Sequence, residues 1–325
     1  MKKFLVVLST LLILTGCGKK SEDVIKEFEN KVNSLENYHL IGEMQIANNE
    51  DKYNYEVDVT YKKGNYKVSL INKENKHEQV ILKNEEGVFI VTPSINKSFK
   101  FQSEWPTNSS QSYILEAILK DISNDADRSV SINKDKYTII SKVNYPNNSD
   151  LKNEEITLGS DYLPTKVVVK NSSGTVMIST VISKIDVKTK YDKNYFALSS
   201  SIKESSTDKP TSSTLDSVIY PMYLPSGTKY STEEVITKDD SERVILSYTG
   251  SKPFILIEEA STNKEHETTL VSGEVVQYGN ILGVMTNTSL NWSNNGKEYY
   301  IIGESLSSNE MLEIASSTST VALTK

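Results

Sequence analysis

"YNYEVDVTYKKGNYKVSL", residues 53–70, decides the fold. Tyr53, Tyr55, Val57, Val59 and Tyr61 alternate with polar residues, Lys63-Gly64-Asn65 offers a turn, and Tyr66, Val68 and Leu70 resume the alternation. A period of two puts successive side chains on opposite faces of a strand, and a glycine-bearing turn between two such runs makes a hairpin. Similar short runs follow at 80–82, 88–92, 98–101, 137–145, 154–158, 165–169 and 176–185, with turns at Asn84-Glu85-Glu86-Gly87 and Asn171-Ser172-Ser173-Gly174. Short connections imply antiparallel neighbours with one buried and one wet face. Residues 48–196 are therefore expected to form one large curved antiparallel sheet, interrupted by one helix.

Two helices accompany that sheet. Ser21 can cap the first, whose opening turn carries Glu22 and Asp23, and Val24, Ile25, Phe28, Val32 and Leu35 share one face as far as about Asn37. The second lies in "NKSFKFQSEWPTNSSQSYILEAILKDI", residues 96–122. There a strand presents Phe99 and Phe101 on one side and is stopped by Pro106, which has no N–H to donate. Ser110 or Ser112 can cap the helix that follows, with Ile114, Leu115, Ile118, Leu119 and Ile122 as its apolar stripe.

Residues 199–214 hold seven serines, three threonines and a proline, the composition of a linker. Beyond them, residues 215–325 are expected to form a smaller α+β domain. Thr249-Gly250-Ser251 and Asn294-Asn295-Gly296 each separate two apolar runs, as hairpin turns do, and Ser307 with Glu310 forms a capping box before a closing helix.

The N-terminus carries an address. Met1-Lys2-Lys3 precedes an apolar run from Phe4 to Leu14, and Leu14-Thr15-Gly16-Cys17 closes it. A basic start, a short apolar stretch and small residues describe a secretory signal, too short to span a bilayer comfortably. Cys17 is the only cysteine, so disulfides, thiolate catalysis and cysteine-based metal sites are excluded from the exported chain. The formal charge is −7, and loss of Lys2 and Lys3 with the signal brings it to −9. That balance argues against nucleic acid and against electrostatic adhesion to anionic lipid.

Chemistry is sparse. His39, His77 and His266 lie far apart without metal-ligand spacing, and no nucleophile elbow, phosphate loop or dinucleotide fingerprint occurs. The acidic run from Lys238 to Glu242 lacks the glycine and terminal glutamate of a calcium loop, and a solvated turn is expected there. The 43 acidic residues sit in no recognisable catalytic frame. The 18 tyrosines, where they alternate along strands, suit either core pairs or the lining of an apolar pocket.

Several of these features resemble one family. The four residues ending in Cys17 resemble the bacterial lipobox, which directs acyl lipid onto the cysteine. With an amphipathic N-terminal helix and a helix inserted in a long antiparallel sheet, the chain is similar to the LolA/LolB/RseB-like lipoprotein superfamily. Within it, "TPSINKSFKFQSEWPTNSSQSYILEAILKDI" (92–122) and "DYLPTKVVV" (161–169) resemble the sporulation and germination lipoproteins of spore-forming Firmicutes, of the GerS/YdcC type. "LNWSNNGKEYYIIGESLSSNEMLEIASS" (290–317) is similar to a C-terminal domain of unassigned function in longer relatives.

The resemblance implies a mainly β (α+β) architecture, a LolA-like half-open antiparallel β-barrel with a helical lid, followed by the smaller domain. It divides the chain into a lipoprotein signal peptide (1–16), a tether (17–21), a LolA-like domain (22–198), the linker (199–214) and the C-terminal domain (215–325). It implies acyl lipid on Cys17 as the only attached group, with no metal and no other cofactor. The place implied is the extracytoplasmic face of the cell membrane, the forespore or spore envelope included. Phe99, Phe101, Trp105, Tyr113 and Leu115 match its motif and are the candidate ligand or partner surface.

Function is then expected to be non-catalytic: binding of an apolar ligand or a protein partner, such as a cortex amidase or an envelope regulator, in spore or cell-envelope assembly. A lipid or lipoprotein carrier is the alternative, and a cell-wall hydrolase ranks below both. A densely filled barrel interior is the default, because protein interiors tolerate few voids.

Overall fold

The structure is a computed structural model describing residues 21–48, 51–101, 103–134, 136–203, 215, 217–238, 241–260, 266–294 and 296–318. Helix α1 (Ser21–Asn33) buries Val24, Ile25, Phe28 and Val32, the face expected from their spacing, and ends a turn earlier than expected. The hairpin of residues 53–70 is strands β2 (Asp51–Lys62) and β3 (Asn65–Asn72). Before it comes β1 (Asn37–Asn48), and after it β4 (Glu78–Asn84), β5 (Gly87–Thr92) and β6 (Lys97–Phe101). Helix α2 (Leu115–Asn124) interrupts the strands, which continue as β7 (Ser129–Asn133), β8 (Lys136–Lys142), β9 (Leu151–Leu158), β10 (Pro164–Asn171) and β11 (Val176–Asp186).

These strands form a sheet ordered β6-β5-β4-β3-β2-β1-β11-β10-β9-β8-β7, antiparallel throughout. Its two ends do not pair, so it is open, as expected of a half-barrel. Strand β1 joins the two halves, yet its alternation is hidden in the sequence. Its inward positions are Tyr38, Leu40, Gly42, Met44, Ile46 and Asn48, so a glycine and an asparagine break the apolar pattern. A bulge against β11 falls between Ile41 and Gly42, and a Cβ at Gly42 would meet the Val181 carbonyl oxygen at 2.5 Å. Gly42→Ala is expected to cost about 1–3 kcal/mol by forcing β1 from β11. Urea denaturation checks this.

The cap expected for α2 is corrected. The helix begins at Leu115 with Ile114 at the cap position and no side-chain cap bond. Ser110 instead accepts from the Asn144 backbone N–H at 2.7 Å, and the Ser112 hydroxyl meets the Thr180 hydroxyl at 2.7 Å. The serines tie the entering loop to the sheet, which a local cap could not do. Tyr113 therefore lies in a turn before the helix.

The first residues of the expected linker are instead helical, in α3 (Leu198–Lys203). Leu198 and Ile202, four apart, pack on Val80, Leu82, Phe89, Val91 and Phe196 on the outer face of the sheet. Residues 204–214 lie outside the described residues.

A second sheet follows, built from β12 (Thr228–Lys238), β13 (Ser241–Gly250), β14 (Phe254–Ala260), β16 (Glu274–Tyr278), β17 (Ile281–Met285), β18 (Ser289–Asn294) and β19 (Lys297–Ile302), and closed by α4 (Ser308–Ser317). Its order is β12-β13-β14-β19-β18-β17-β16. The expected capping box is present: Glu310 N–H donates to Ser307 Oγ, and Ser307 N–H to the Glu310 carboxylate. One face of this sheet carries Val244, Leu246, Leu256, Trp292 and Ile301 against Met311, Leu312 and Ile314 of α4. From the opposite face, Leu282 and Val284 enter the core of the first sheet.

The two regions are interlocked more closely than a linker boundary implies. Strand β15 (Glu267–Leu270) leaves the second region and pairs, in parallel, with β6 at the end of the first sheet. No helix among the described residues is long and apolar enough to cross a membrane.

Candidate partner and ligand site

The loop from Ser103 to Ile114 connects β6 to α2 and sets the geometry of the inner face. Its anchor is Trp105, which stands edge-on to Tyr66 at 5.9 Å, while Tyr66 lies tilted against Tyr61 at 4.9 Å and Tyr61 stacks on Tyr38 at 5.0 Å. Lys83 Nζ donates to the Trp105 carbonyl at 2.7 Å. Tyr38 donates its hydroxyl to Glu116 in the first turn of α2 at 3.0 Å, and burial pushes the Glu116 carboxyl above its usual range. Asp121 and Glu154 form a buried carboxyl pair: burial raises Asp121 to about 6, and burial with the Asp121 charge raises Glu154. Tyr38 and Tyr66 are thus core residues, with Tyr61 packed against them.

All five sequence candidates are interior. Phe99, Phe101, Trp105, Tyr113 and Leu115 are 3, 2, 1, 2 and 0% exposed, within the core shared by α1, α2 and the inner face of the sheet. They build no outward surface, because the helices and the second region cover the strand face on which they sit. Only Tyr113 reaches a cavity, of about 40 Å³, lined also by Met44, Tyr145, Ile178, Val276, Leu282 and Leu312. Such a space holds a few waters, against the several hundred Å³ usual for a ligand pocket. Cys17 lies outside the described residues, as do Asp239 and Asp240 of the acidic run.

The second region is bolted to the first by polar contacts. Ser103 and Asn108 both donate to the Glu274 carboxylate at 2.5 Å, Tyr55 donates to the Gly279 carbonyl at 3.1 Å, and Gln79 donates to the Leu282 carbonyl at 3.1 Å. At the centre, Lys97 Nζ lies 2.6 Å from Glu298 Oε2, with the two side chains 10 and 2% exposed.

A candidate interaction surface that sequence patterning missed is on the second sheet. The face that delivers Leu282 and Val284 to the first core continues across β14 and β19 into an open aliphatic area. Ile255 and Ile302 are cross-strand partners, 39 and 46% exposed, and beside them Ile245 pairs with Ile257. Ile236 on β12 extends the area, and the Arg243–Glu259 ion pair borders it. Contiguous exposed apolar area of this kind marks interaction sites. In the sequence these isoleucines look like any half-buried strand, since alternation does not say which face is covered.

On the other face of the same sheet, Glu258 occupies an apolar position in the series Phe254, Leu256, Glu258, Ala260. Its Oε1 accepts from the Ile219 backbone N–H at 2.7 Å, tying residues 218–219 across the core, while Oε2 has no partner. Burial pushes this carboxyl up to about 7. A raised carboxyl binds its proton more tightly in the folded state, so its contribution is fully favourable below the unfolded value near 4.5 and is lost as pH rises through 7. Glu258→Gln is expected to flatten the fall in stability between pH 4.5 and 8 by roughly 2–3 kcal/mol, read from denaturation midpoints across that range.

Among the described residues no group of three or more metal-ligating side chains converges. No family model matches the chain. Sporulation protein YdcC of Bacillus subtilis (strain 168) is 36% identical over 326 aligned residues, 97% of this chain and 96% of that protein. Among solved structures, the Pseudomonas aeruginosa MucA/MucB complex is similar over 90% of this chain and 97% of its own, at 12% identity and a TM-score of 0.34. An outer membrane lipoprotein-sorting protein domain from Vibrio parahaemolyticus is similar over 55% and 96%, at 11% identity and 0.33. Structural scores at that level transfer no function, whereas the identity to YdcC runs nearly end to end: the chain belongs to the family of sporulation protein YdcC.

Proposed function

We propose that this protein is a lipid-anchored, extracytoplasmic lipoprotein that binds a protein partner during spore and cell-envelope assembly. The observation that carries the binding role is the open isoleucine area of the second sheet, continuous with the face already docked on the first. The family relation supports the process, since the near-full-length relative is named for sporulation. The lipobox at Cys17 supports the anchor, with acyl chains contributing about 0.8 kcal/mol per buried CH2. A protein partner is favoured over a stored apolar ligand, because the apolar cavity of about 40 Å³ is far too small for an acyl chain. The same cavity size supports ranking a carrier role second.

Two variants test this. Cys17→Ala is expected to move the protein from the membrane fraction to the soluble fraction of sporulating cells. Retention in the membrane would contradict lipid anchoring. The double variant Ile255→Lys/Ile302→Lys is expected to keep the native melting profile and lose whatever protein the wild type retains after crosslinking. An unchanged set of crosslinked proteins would exclude this face as the docking surface.

A further inference from the structure

We infer that the seam between the two sheets binds an uncharged glycan, at a site separate from the partner face. Two open cavities, of about 350 and 430 Å³, lie on either side of the loop at Asn147 and Asn148. Both fall in the range of ligand sites, roughly 300–1,000 Å³. No lysine or arginine is among the described residues lining either one, so a phosphate or carboxylate ligand would find no counter-charge.

What the walls offer instead is carboxamide. Asn148 and Asn309 line the first cavity and Asn147 and Asn287 the second, and no described residue hydrogen-bonds any of these side chains. Each presents two N–H donors and a carbonyl acceptor. Sugar hydroxyls donate and accept at once, and acetamido groups pair reciprocally with carboxamides, so four unengaged amides suit such a ligand.

The carboxylates fit the same ligand better than they fit a cation. In the first cavity Asp150 accepts from the Ser172 hydroxyl at 2.5 Å, and Glu313 accepts from the Tyr278 hydroxyl at 2.6 Å. Glu313 is thereby held by a hydroxyl of the protein and keeps a second oxygen for a hydroxyl of the ligand, whereas Asp150 is held further by the Asn171 side chain and the Ser172 backbone. Leu151 and Met177 supply an apolar wall for the C–H face of a sugar ring. Because Asn148 lines the first cavity and the consecutive Asn147 the second, a chain of two or more sugar units can run from one to the other.

The test is calorimetric titration of the full chain in detergent with N-acetylglucosamine tetramer and, separately, with maltotetraose. Binding of either is expected, weakened about tenfold or more by Asn148→Ala/Asn309→Ala, whose side chains are outside the core. The Ile255→Lys/Ile302→Lys variant is expected to bind the glycan as the wild type does, which separates this site from the partner face. No heat from either tetrasaccharide, or binding that the asparagine variant leaves intact, would overturn the proposal. So would spermidine binding in the seam while both saccharides stay inert, since that marks an amine site.

Discussion

Lys97→Ala is expected to destabilise the protein by about 3–5 kcal/mol, the cost of leaving a buried carboxylate without its partner. Glu298 is 2% exposed on its side chain, and its Oε2 receives both Lys97 Nζ at 2.6 Å and the Tyr300 hydroxyl at 2.5 Å. Burial already pushes the Glu298 carboxyl upward, and Lys97 is the main opposing influence. Without the lysine the carboxyl is pushed further up and holds its proton more tightly. The loss should therefore shrink as pH is lowered, because protonation removes the stranded charge. The charge-free double variant Lys97→Met/Glu298→Leu is expected to recover most of the loss, since replacing both partners with apolar side chains is often neutral. Because the pair joins β6 to β19, Lys97→Ala should also loosen the two sheets from one another. Amide exchange along β15 and β6 reports that. A cost below 1 kcal/mol in urea denaturation would mean that the pair does not hold the regions together.

Trp105→Ala is expected to cost about 3–5 kcal/mol, the range for emptying a large aromatic site in a core. Trp105 is 1% exposed and ends the aromatic series that runs through Tyr66, Tyr61 and Tyr38. Removing it also frees the loop whose Ser103 and Asn108 hold Glu274 of the second sheet. Trp105→Phe should cost clearly less, because the indole N–H has no hydrogen-bond partner and a phenyl ring refills most of the volume. Chemical denaturation of the two variants side by side is the check. Equal losses would mean that the indole N–H, not the packing, is what matters.

Much of the first sheet was legible because its strands alternate cleanly. Residues 53–70, the turns at Gly87 and Gly174 and the capping box at Ser307 each fall where local chemistry places them. Strand β1 was not, since Gly42 and Asn48 occupy inward positions that a hydrophobic pattern requires to be apolar. Strand β7 was not either, its residues being polar and mostly exposed and its place set by pairing with β8. The phenylalanines at 99 and 101 do share a side, as period two demands, but that side is filled by helices and Leu282 from a distant strand. A motif can be read from sequence, whereas what covers it depends on contacts more than 150 residues away, such as Tyr113 with Gln277. Glu258 was visible in principle, as an acid in an otherwise apolar alternation. The open isoleucines were not, because covered and uncovered strand faces carry the same residues.

Site-specific photo-crosslinking in sporulating cells tests the central claim most directly, with the photoreactive residue placed at Ile255 and, as control, at Ile140 on the first sheet, which is 43% exposed. The expected result is a discrete crosslinked protein from position 255 and none from position 140. No adduct at 255, or the same adducts from both positions, would contradict the assignment of the second sheet as the partner face.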